Sequence, residues 1–341
     1  MKKSKHHRMI ISGIALLFMI LVMVGSMLVF KLEISDTTSI FSKEASKLYD
    51  NYYVMIVDDV NSSFWKSVYE KARQIGEENS TYVELMGNEL ATNYSKTDLL
   101  RIAIESSVDG IFLEADESSD MTKLINEAVE KDIPVITVIG DNTASKRQSF
   151  VGISSYNLGR EYGSQVLSLY KREVMKVLIL MTAQARDSGQ NIIYSGLQEM
   201  IEASGKREQI HIESIAIDNT SSFAAEETIR DIFMESIELP DILICLDELN
   251  TTCAYQAIVD YNKVGEVNII GYYDSADILN AIRKKVVHST ISVNTEQIGE
   301  YMMEAIMEYQ SVGQVNEYYT VDTALITLEN IGDYYGNEKN E

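Results

Sequence analysis

Polar and aromatic side chains directly follow the short β-rich segments of this 341-residue chain, and they are the residues best suited to chemistry or binding. Carboxylates and amides offer acceptors and donors to polyols, and aromatic rings offer flat faces to C–H surfaces. Because ligands of open parallel sheets bind beyond the carboxyl ends of the strands, these positions predict a binding rim. The rim consists of Asp58, Asp59, Asn61, Phe64, Trp65, Glu114, Asp116, Asp141, Arg186, Gln190, Asp218, Asn219, Asp247, Glu248, Tyr273, Asp274 and Asn294.

Signatures of catalysis are mostly missing from the sequence. It contains no G-x-S-x-G elbow, Walker loop or G-x-G-x-x-G motif. His211 and His288 lie within or beside β-rich segments, which favours structural roles. The adjacent acids Asp58 and Asp59 could serve a glycosidase, but neighbours on a strand point to opposite faces. We therefore predict a protein without catalytic residues, a metal site or a cofactor, with a glycosidase as the remote alternative.

The elements that must position this rim alternate regularly between strands and helices. One helix is predicted from Phe64, Val68, Ala72 and Ile75, whose spacing places them on one helix face. Alternating strands and helices predict βαβ units with parallel sheets, and strands in two runs predict two such sheets, an α/β fold. The predicted strands are 53–57, 82–86, 110–113, 134–139, 150–153, 176–181, 211–217, 241–246, 267–272 and 289–293.

An uncharged run of 22 residues, 9–30, follows a basic head at 1–8. With a rise of about 1.5 Å per residue, such a helix spans the roughly 30 Å hydrocarbon core of a bilayer. The positive-inside preference places the head in the cytoplasm and the chain after Lys31 in the extracellular or periplasmic space. We predict a single-pass membrane anchor followed by a stalk at 31–51. A cleaved export signal ending near 24–26 is the alternative.

The chain is strongly acidic, with 52 Asp and Glu against 29 Lys and Arg and a net charge of −23. The first 31 residues contain no acid, so the acidic excess lies entirely beyond them. Nucleic acids require clustered Lys and Arg, and no nucleic-acid partner is predicted. Cys245 and Cys253 are too few for a disulfide scaffold, and we expect two buried thiols.

Six segments occur in the order and spacing of one known family. They read VMIVDDVNSSFWKSVYEKA at 54–72, DIPVIT at 132–137, FVGISSYNLG at 150–159, DILICLDE at 241–248, IIGYYDS at 269–275 and STISVNTEQIG at 289–299. Over about 52–328 the chain resembles the type I periplasmic binding proteins of the ribose-binding and related sugar class. Each segment alone is a weak signal, but the six in register are fairly specific.

The resemblance implies two doubly wound Rossmann-like lobes, joined by three crossovers at a hinge, that close on one small ligand. Lobe 1 would comprise 52–154 and 294–316, lobe 2 would comprise 155–293 and 317–330, and a tail would follow at 331–341. In the first loop, the family's ligand-contacting positions match Ser62, Phe64 and Trp65, with Asp58 at the start of the loop. The other positions match Glu114, Asp247, Tyr273 with Asp274 next to it, and Val293 with Asn294 next to it.

This chain departs from the family pattern at two basic positions. Ile139 and Gly140 stand where the ribose binders have an Asp-Arg pair, and Ile193 stands where lobe 2 has an arginine. Without these guanidinium groups, the usual bidentate grip on sugar hydroxyls is lost. We therefore expect Glu114 and Asp247 to face the ligand without a basic partner, and the ligand to be an unusual sugar, an amino sugar or a small cation.

The leading functional hypothesis is a membrane-tethered solute receptor that delivers a small ligand to an ABC importer permease. The alternative is a ligand-sensing module that docks on a membrane sensor histidine kinase. Both would use the same lobes and the same closure, so the sequence leaves the two open. The same fold occurs in sugar-responsive repressors, but here the membrane segment takes the place of their DNA-binding helices.

Overall fold

The computed structural model describes residues 49–87, 94–171, 174–182, 188–218, 221–235 and 238–334. The strands are β1 (Asn51–Ile56), β2 (Thr81–Leu85), β3 (Gly110–Leu113), β4 (Val135–Val138), β5 (Ser149–Gly152), β6 (Met175–Thr182), β7 (Ile210–Ile217), β8 (Ile242–Cys245), β9 (Asn268–Tyr272), β10 (Val287–Val293), β11 (Tyr318–Thr320) and β12 (Thr323–Thr327). The helices are α1 (Ser63–Glu78), α2 (Lys96–Glu105), α3 (Ser119–Glu130), α4 (Ser155–Ser168), α5 (Ser188–Ala203), α6 (Ser222–Glu235), α7 (Glu248–Asp260), α8 (Ala276–Arg283) and α9 (Thr295–Val312).

The strands form two six-stranded sheets of matching topology. The order is β11-β5-β4-β3-β1-β2 in lobe 1 and β12-β10-β9-β8-β6-β7 in lobe 2. Strand β12 runs antiparallel to β10, whereas β11 runs parallel to β5. The predicted fold class is confirmed, and each of the ten predicted strands is present within two residues of its expected bounds.

The chain passes between the lobes three times. It leaves lobe 1 after β5, since the next helix, α4, packs on α5 and so belongs to lobe 2. It returns after β10, since the next helix, α9, packs on α1 and so belongs to lobe 1. It crosses again between β11 and β12. The assignment of 317–330 wholly to lobe 2 is wrong for β11, which pairs with β5 in lobe 1. A strand of three residues is too short to show a hydrophobic period, so the sequence did not reveal it.

Alternating side chains on the strands build cores on both faces of each sheet. Along β1, Tyr53 and Met55 face one helical layer, whereas Val54 and Ile56 face the other. The layers of α1 and α9 in lobe 1 and of α4 and α5 in lobe 2 belong to one continuous apolar cluster. This cluster connects the lobes, and the described residues from Tyr52 onward form one compact unit.

Among the described residues, no helix combines the length and apolar character needed to cross a membrane. The predicted head, the predicted anchor at 9–30 and the stalk up to residue 48 lie outside the described residues, as does the tail from residue 335.

Candidate functional site

Aromatic rings from both lobes meet where the predicted rim lies. Phe64 and Trp65 lie in the first turn of α1, are each 5% exposed, and contact each other edge to face with ring centroids 5.0 Å apart. From lobe 2, the Tyr273 ring lies 5.2 Å from Phe64 and the Tyr272 ring lies 6.3 Å from it. Phe64 is therefore the centre of an aromatic group that spans both lobes. Tyr272 was not selected from the sequence, because it reads as the last residue of a buried strand.

Glu248 makes a polar contact between the lobes. It is the first residue of α7, and its Oε2 accepts a hydrogen bond of 2.8 Å from Ser62 Oγ and one of 3.3 Å from the Phe64 amide. Its Oε1 accepts a hydrogen bond from the Ser63 hydroxyl. Ser62, expected from the family pattern to contact the ligand, thus donates to a carboxylate of the opposite lobe.

Lys96 forms an ion pair with one of the acidic positions of lobe 1. Its Nζ lies 2.6 Å from Asp58 Oδ2, and its side chain is 13% exposed. Burial alone would lower the pKa of Lys96, but the carboxylates of Glu114, Asp58 and Asp116 outweigh burial, and the pKa is raised. Glu114 also accepts a hydrogen bond of 2.8 Å from the Asp58 amide. Glu114 therefore lies close enough to the ammonium group of Lys96 to raise its pKa, although the ion pair of Lys96 is with Asp58. Lys96 was missed because it lies at the start of a helix rather than after a strand.

Two other predicted residues hold the starts of helices. Asp247 Oδ1 accepts a hydrogen bond of 2.7 Å from the Asn250 amide and caps α7. Its Oδ2 accepts a second bond, 2.6 Å, from the Asn250 side chain. Asn294 Oδ1 accepts from the Gln297 amide at 3.0 Å and caps α9, at the second crossing. Capping accounts for these two side chains without a ligand.

Tyr273 and Ile139 occupy matching positions in the two lobes, directly after β9 and β4. Both have left-handed backbones, with φ of 71° and 61°. Each donates its amide to the neighbouring strand, Tyr273 to Ile291 at 2.8 Å and Ile139 to Val151 at 2.9 Å. A left-handed β-branched residue is strained, and such strain concentrates at functional sites. The same local geometry therefore marks both lobes at the rim.

Asp274 follows Tyr273 and lies in a partly buried position near Glu248. Burial raises the pKa of Asp274, a hydrogen bond from Ser292 opposes that rise, and the Glu248 charge adds to it. Burial likewise raises the pKa of Tyr273 to about 12, against hydrogen bonds with Ser67 and Thr295. The Tyr273 ring thus packs against Phe64 of α1 in lobe 1, whereas Asp274 lies near enough to Glu248 for that charge to raise its pKa.

A family model described as periplasmic binding protein domain matches residues 53–314. The chain belongs to this family. A search of the curated proteins found no match. Among solved structures, the XylFII molecule is 24% identical and aligns over 81% of this chain and 98% of its own, with a TM-score of 0.70.

Two further structures share the fold. GanP, a glucose-galactose binding protein from Geobacillus stearothermophilus, is 19% identical over 82% of this chain and 98% of its own, with a TM-score of 0.72. An ABC transporter solute binding protein from Agrobacterium vitis, solved with bound D-fucose, is 18% identical over 82% and 96%, with a TM-score of 0.71. The predicted membership of the periplasmic binding proteins is thus confirmed by the family model, and the solved structures confirm the type I fold.

The departures from the family pattern have physical reasons in this chain. A Cβ on Gly140 would lie 2.2 Å from the Ala115 carbonyl oxygen, so no arginine fits there without backbone movement. Ile193 is 7% exposed and belongs to the apolar cluster between the lobes. Arg147 does provide a guanidinium fork, but it binds Asp141 through Nε–Oδ1 and Nη2–Oδ2 contacts of 2.5 and 2.7 Å. The guanidinium group of Arg147 is therefore already bound to Asp141.

Other rim positions serve the fold or lie outside the described residues. The Gln190 side chain donates to Thr182 Oγ1 at 2.6 Å. Arg186 and Asn219 are not among the described residues. In the described part of the chain, no group of three or more His, Cys, Asp or Glu could hold a metal ion. Cys245 and Cys253 are buried free thiols, as expected, and burial raises the pKa of Cys253 to about 11.

Proposed function

We propose that this protein is an extracytoplasmic receptor that closes its two lobes on one neutral sugar. The observation that carries the proposal is the aromatic group centred on Phe64, to which both lobes contribute rings at the carboxyl ends of their strands. Aromatic faces suit the C–H surfaces of a sugar ring. Sites of this kind bring together apolar walls and a few polar groups.

The charges at the rim favour a neutral ligand over an amino sugar or a small cation. Asp58 pairs with Lys96, and the Glu114 carboxylate accepts the Asp58 amide near the same ammonium group. The Asp247 carboxylate caps α7, and that of Glu248 accepts hydrogen bonds from α1. Because these acids already have donors within the protein, a cationic ligand would have to compete with them. A neutral polyol needs only to add hydrogen bonds.

The receptor is proposed to deliver its sugar to an ABC importer permease. The Agrobacterium vitis neighbour is by title an ABC transporter solute binding protein, with D-fucose bound. GanP is by title a glucose-galactose binding protein. Their sequences are too distant to carry a particular sugar over to this chain. They support the class of ligand and the kind of partner.

A ligand-sensing module that docks on a membrane histidine kinase is the second candidate. XylFII has also been solved as a XylFII-LytSN complex, whose XylFII is 23% identical over 82% of this chain with a TM-score of 0.68. That complex shows that a protein of this fold can bind a second protein. Co-purification of the full chain with an importer permease or with a kinase would separate the two candidates.

Calorimetry on the full chain in detergent tests the sugar proposal. The panel should contain neutral pentoses, hexoses and 6-deoxyhexoses, together with amino sugars and small cations. We expect saturable binding of at least one neutral sugar. Phe64→Leu keeps most of the apolar volume but removes the ring, and should weaken binding about 3- to 10-fold, in line with the roughly 0.5–1.5 kcal/mol of an aromatic contact.

Phe223 provides the matched control, because it is 70% exposed on α6 of lobe 2. Phe223→Leu should leave the affinity unchanged. Binding of amino sugars or cations in preference to every neutral sugar would contradict the proposed ligand class. Equal sugar affinities of the Phe64 variant and the wild type would show that the aromatic ring of Phe64 does not contribute to binding.

A further inference from the structure

Three donors at the start of α1 in lobe 1 converge on the single carboxylate of Glu248 in lobe 2. They are the Ser62 and Ser63 hydroxyls and the Phe64 amide. The contact is made between protein groups alone, so it can form whenever the two lobes approach each other. Its free energy therefore favours the arrangement in which the lobes meet.

The start of α1 provides no cap of its own. Ser62 is its N-cap residue but makes no side-chain capping hydrogen bond, and the first turn contains no acidic residue. In α2, α3, α4, α7 and α9, by contrast, the N-cap side chain accepts a hydrogen bond from its own helix. A helix start without a cap carries unsatisfied amides and partial positive charge. Glu248 accepts one of these amides, that of Phe64, and brings a carboxylate to this helix start from the opposite lobe.

An apolar contact lies beside this polar one. The Tyr273 ring of lobe 2 packs edge to face on Phe64 at 5.2 Å. Tyr273 and Glu248 follow different strands, β9 and β8, yet both contact the first turn of α1. The first turn of α1 is therefore held by two separate points of lobe 2.

We propose that Glu248 is a positioning residue for ligand binding, whose carboxylate shifts the equilibrium between open and closed lobes towards the closed arrangement. A ligand then has to supply less of the free energy of closure, because the apparent dissociation constant scales inversely with the closed fraction. Only this effect on affinity rests on the proposed receptor function. The effect on closure is independent of any sugar.

Double electron–electron resonance measures the distance between two spin labels and so tests closure directly. The full chain is labelled at two introduced cysteines and measured in detergent without sugar. One label replaces Lys123 on α3 of lobe 1, where the side chain is 73% exposed, and the other replaces Lys284 at the end of α8 of lobe 2. Cys245 and Cys253 are buried, and a sample without introduced cysteines measures their background. We expect Glu248→Gln and Glu248→Ala to increase the population at the longer distance several-fold.

Two controls separate a specific contact from general damage. Glu226→Gln removes an exposed charge on α6 of the same lobe and should leave the distances unchanged. Ser63→Ala removes one donor and should open the lobes partly, while Ser63→Ala combined with Glu248→Ala should open them no further than Glu248→Ala alone. Circular dichroism confirms folding, and the milder Gln and Ser63 variants decide the outcome if the Ala variant is unfolded.

Unchanged distances in folded Glu248→Gln and Ser63→Ala variants would overturn the proposal. Additive opening in the double variant would overturn it as well, because the two residues would then act independently. Failure of every sugar to bind would affect only the proposed function, since the distances are measured without sugar.

Discussion

Single residues at the rim form ion pairs and capping hydrogen bonds that their positions in the chain do not reveal. Lys96 comes from a helix start and pairs with Asp58, which follows β1, near Glu114, which follows β3. Asp247 matches a family ligand position and Asn294 adjoins one, but both side chains cap helices. Whether any of the predicted residues contacts a ligand stays a prediction, and the capping and pairing roles now define what each substitution would do.

Lys96→Met should destabilise the protein by about 1–3 kcal/mol. Removing one partner of a buried ion pair commonly costs about 3–5 kcal/mol, and the 55% exposure of Asp58 reduces this penalty. Lys123→Met is the control, because Lys123 and Asp120 form an exposed pair with 73% and 71% of their side chains accessible. That variant should lose less than about 1 kcal/mol. Urea unfolding measures the free energy of unfolding of both variants. Equal losses of stability would mean that the Lys96 ion pair contributes no more than an exposed pair.

Asp274→Asn should stabilise the protein at neutral pH. The raised pKa of Asp274 means that the folded state binds the proton more tightly than the unfolded state does. Its charged form therefore costs stability above the folded pKa, and this cost disappears as the pH falls below the ordinary value of 3.8. As the pH is lowered from neutral to below 3.8, the melting temperatures of the variant and the wild type should converge. The exposed Asp277→Asn serves as the control, and a wild type more stable than Asp274→Asn at neutral pH would contradict the assignment.

At the scale of elements, α4 and α5 show how closely helices of lobe 2 pack. An added Cβ on Gly159 would lie 2.1 Å from the Ile193 carbonyl oxygen, which is an impossible approach for any side chain. Helix α4 starts directly after the first crossing, so its position relative to α5 connects the crossing with the core of lobe 2.

Gly159→Ala should cost about 1–3 kcal/mol, because an overpacked contact outweighs the roughly 1 kcal/mol that alanine gains as a better helix former. Gly332→Ala is the control, since no atom lies within 4 Å of its added Cβ. It should change stability by less than about 0.5 kcal/mol. Denaturant unfolding followed by circular dichroism compares the two. A neutral Gly159 variant would mean that the helices can separate without penalty.

At the scale of the whole molecule, three crossings and a continuous apolar cluster connect the two lobes. Glu248 and Tyr273 contact the start of α1, whereas Asn294 and β11 lie at the crossings. The residues that we propose to influence closure thus lie far apart in the chain and on different elements.

Membrane attachment through residues 9–30 is also a prediction for the whole molecule. The full chain should fractionate with membranes, and protease added to intact, wall-stripped cells should digest it beyond Lys31. The basic head and the uncharged run are the physical reason. Recovery of a soluble mature form that begins near Met27 would show instead that the segment is a cleaved signal.

Periodicity alone predicted ten strands, because buried parallel strands are short apolar runs between helices with an apolar face. It missed β11 and β12, which are short and partly exposed. Position after a strand also selected Phe64, Tyr273 and Glu248, since the carboxyl ends of parallel strands share one edge of a sheet.

The sequence by itself therefore determined the two α/β sheets, the family and the rim on which a ligand is expected. Only the tertiary structure decided which rim residues interact with each other. Lys96 lies 38 positions from Asp58 in the chain, and Glu248 lies 186 positions from Ser62. A hydrogen bond or an ion pair depends on separations of a few ångströms, and chain order does not encode such separations until the lobes have folded and met.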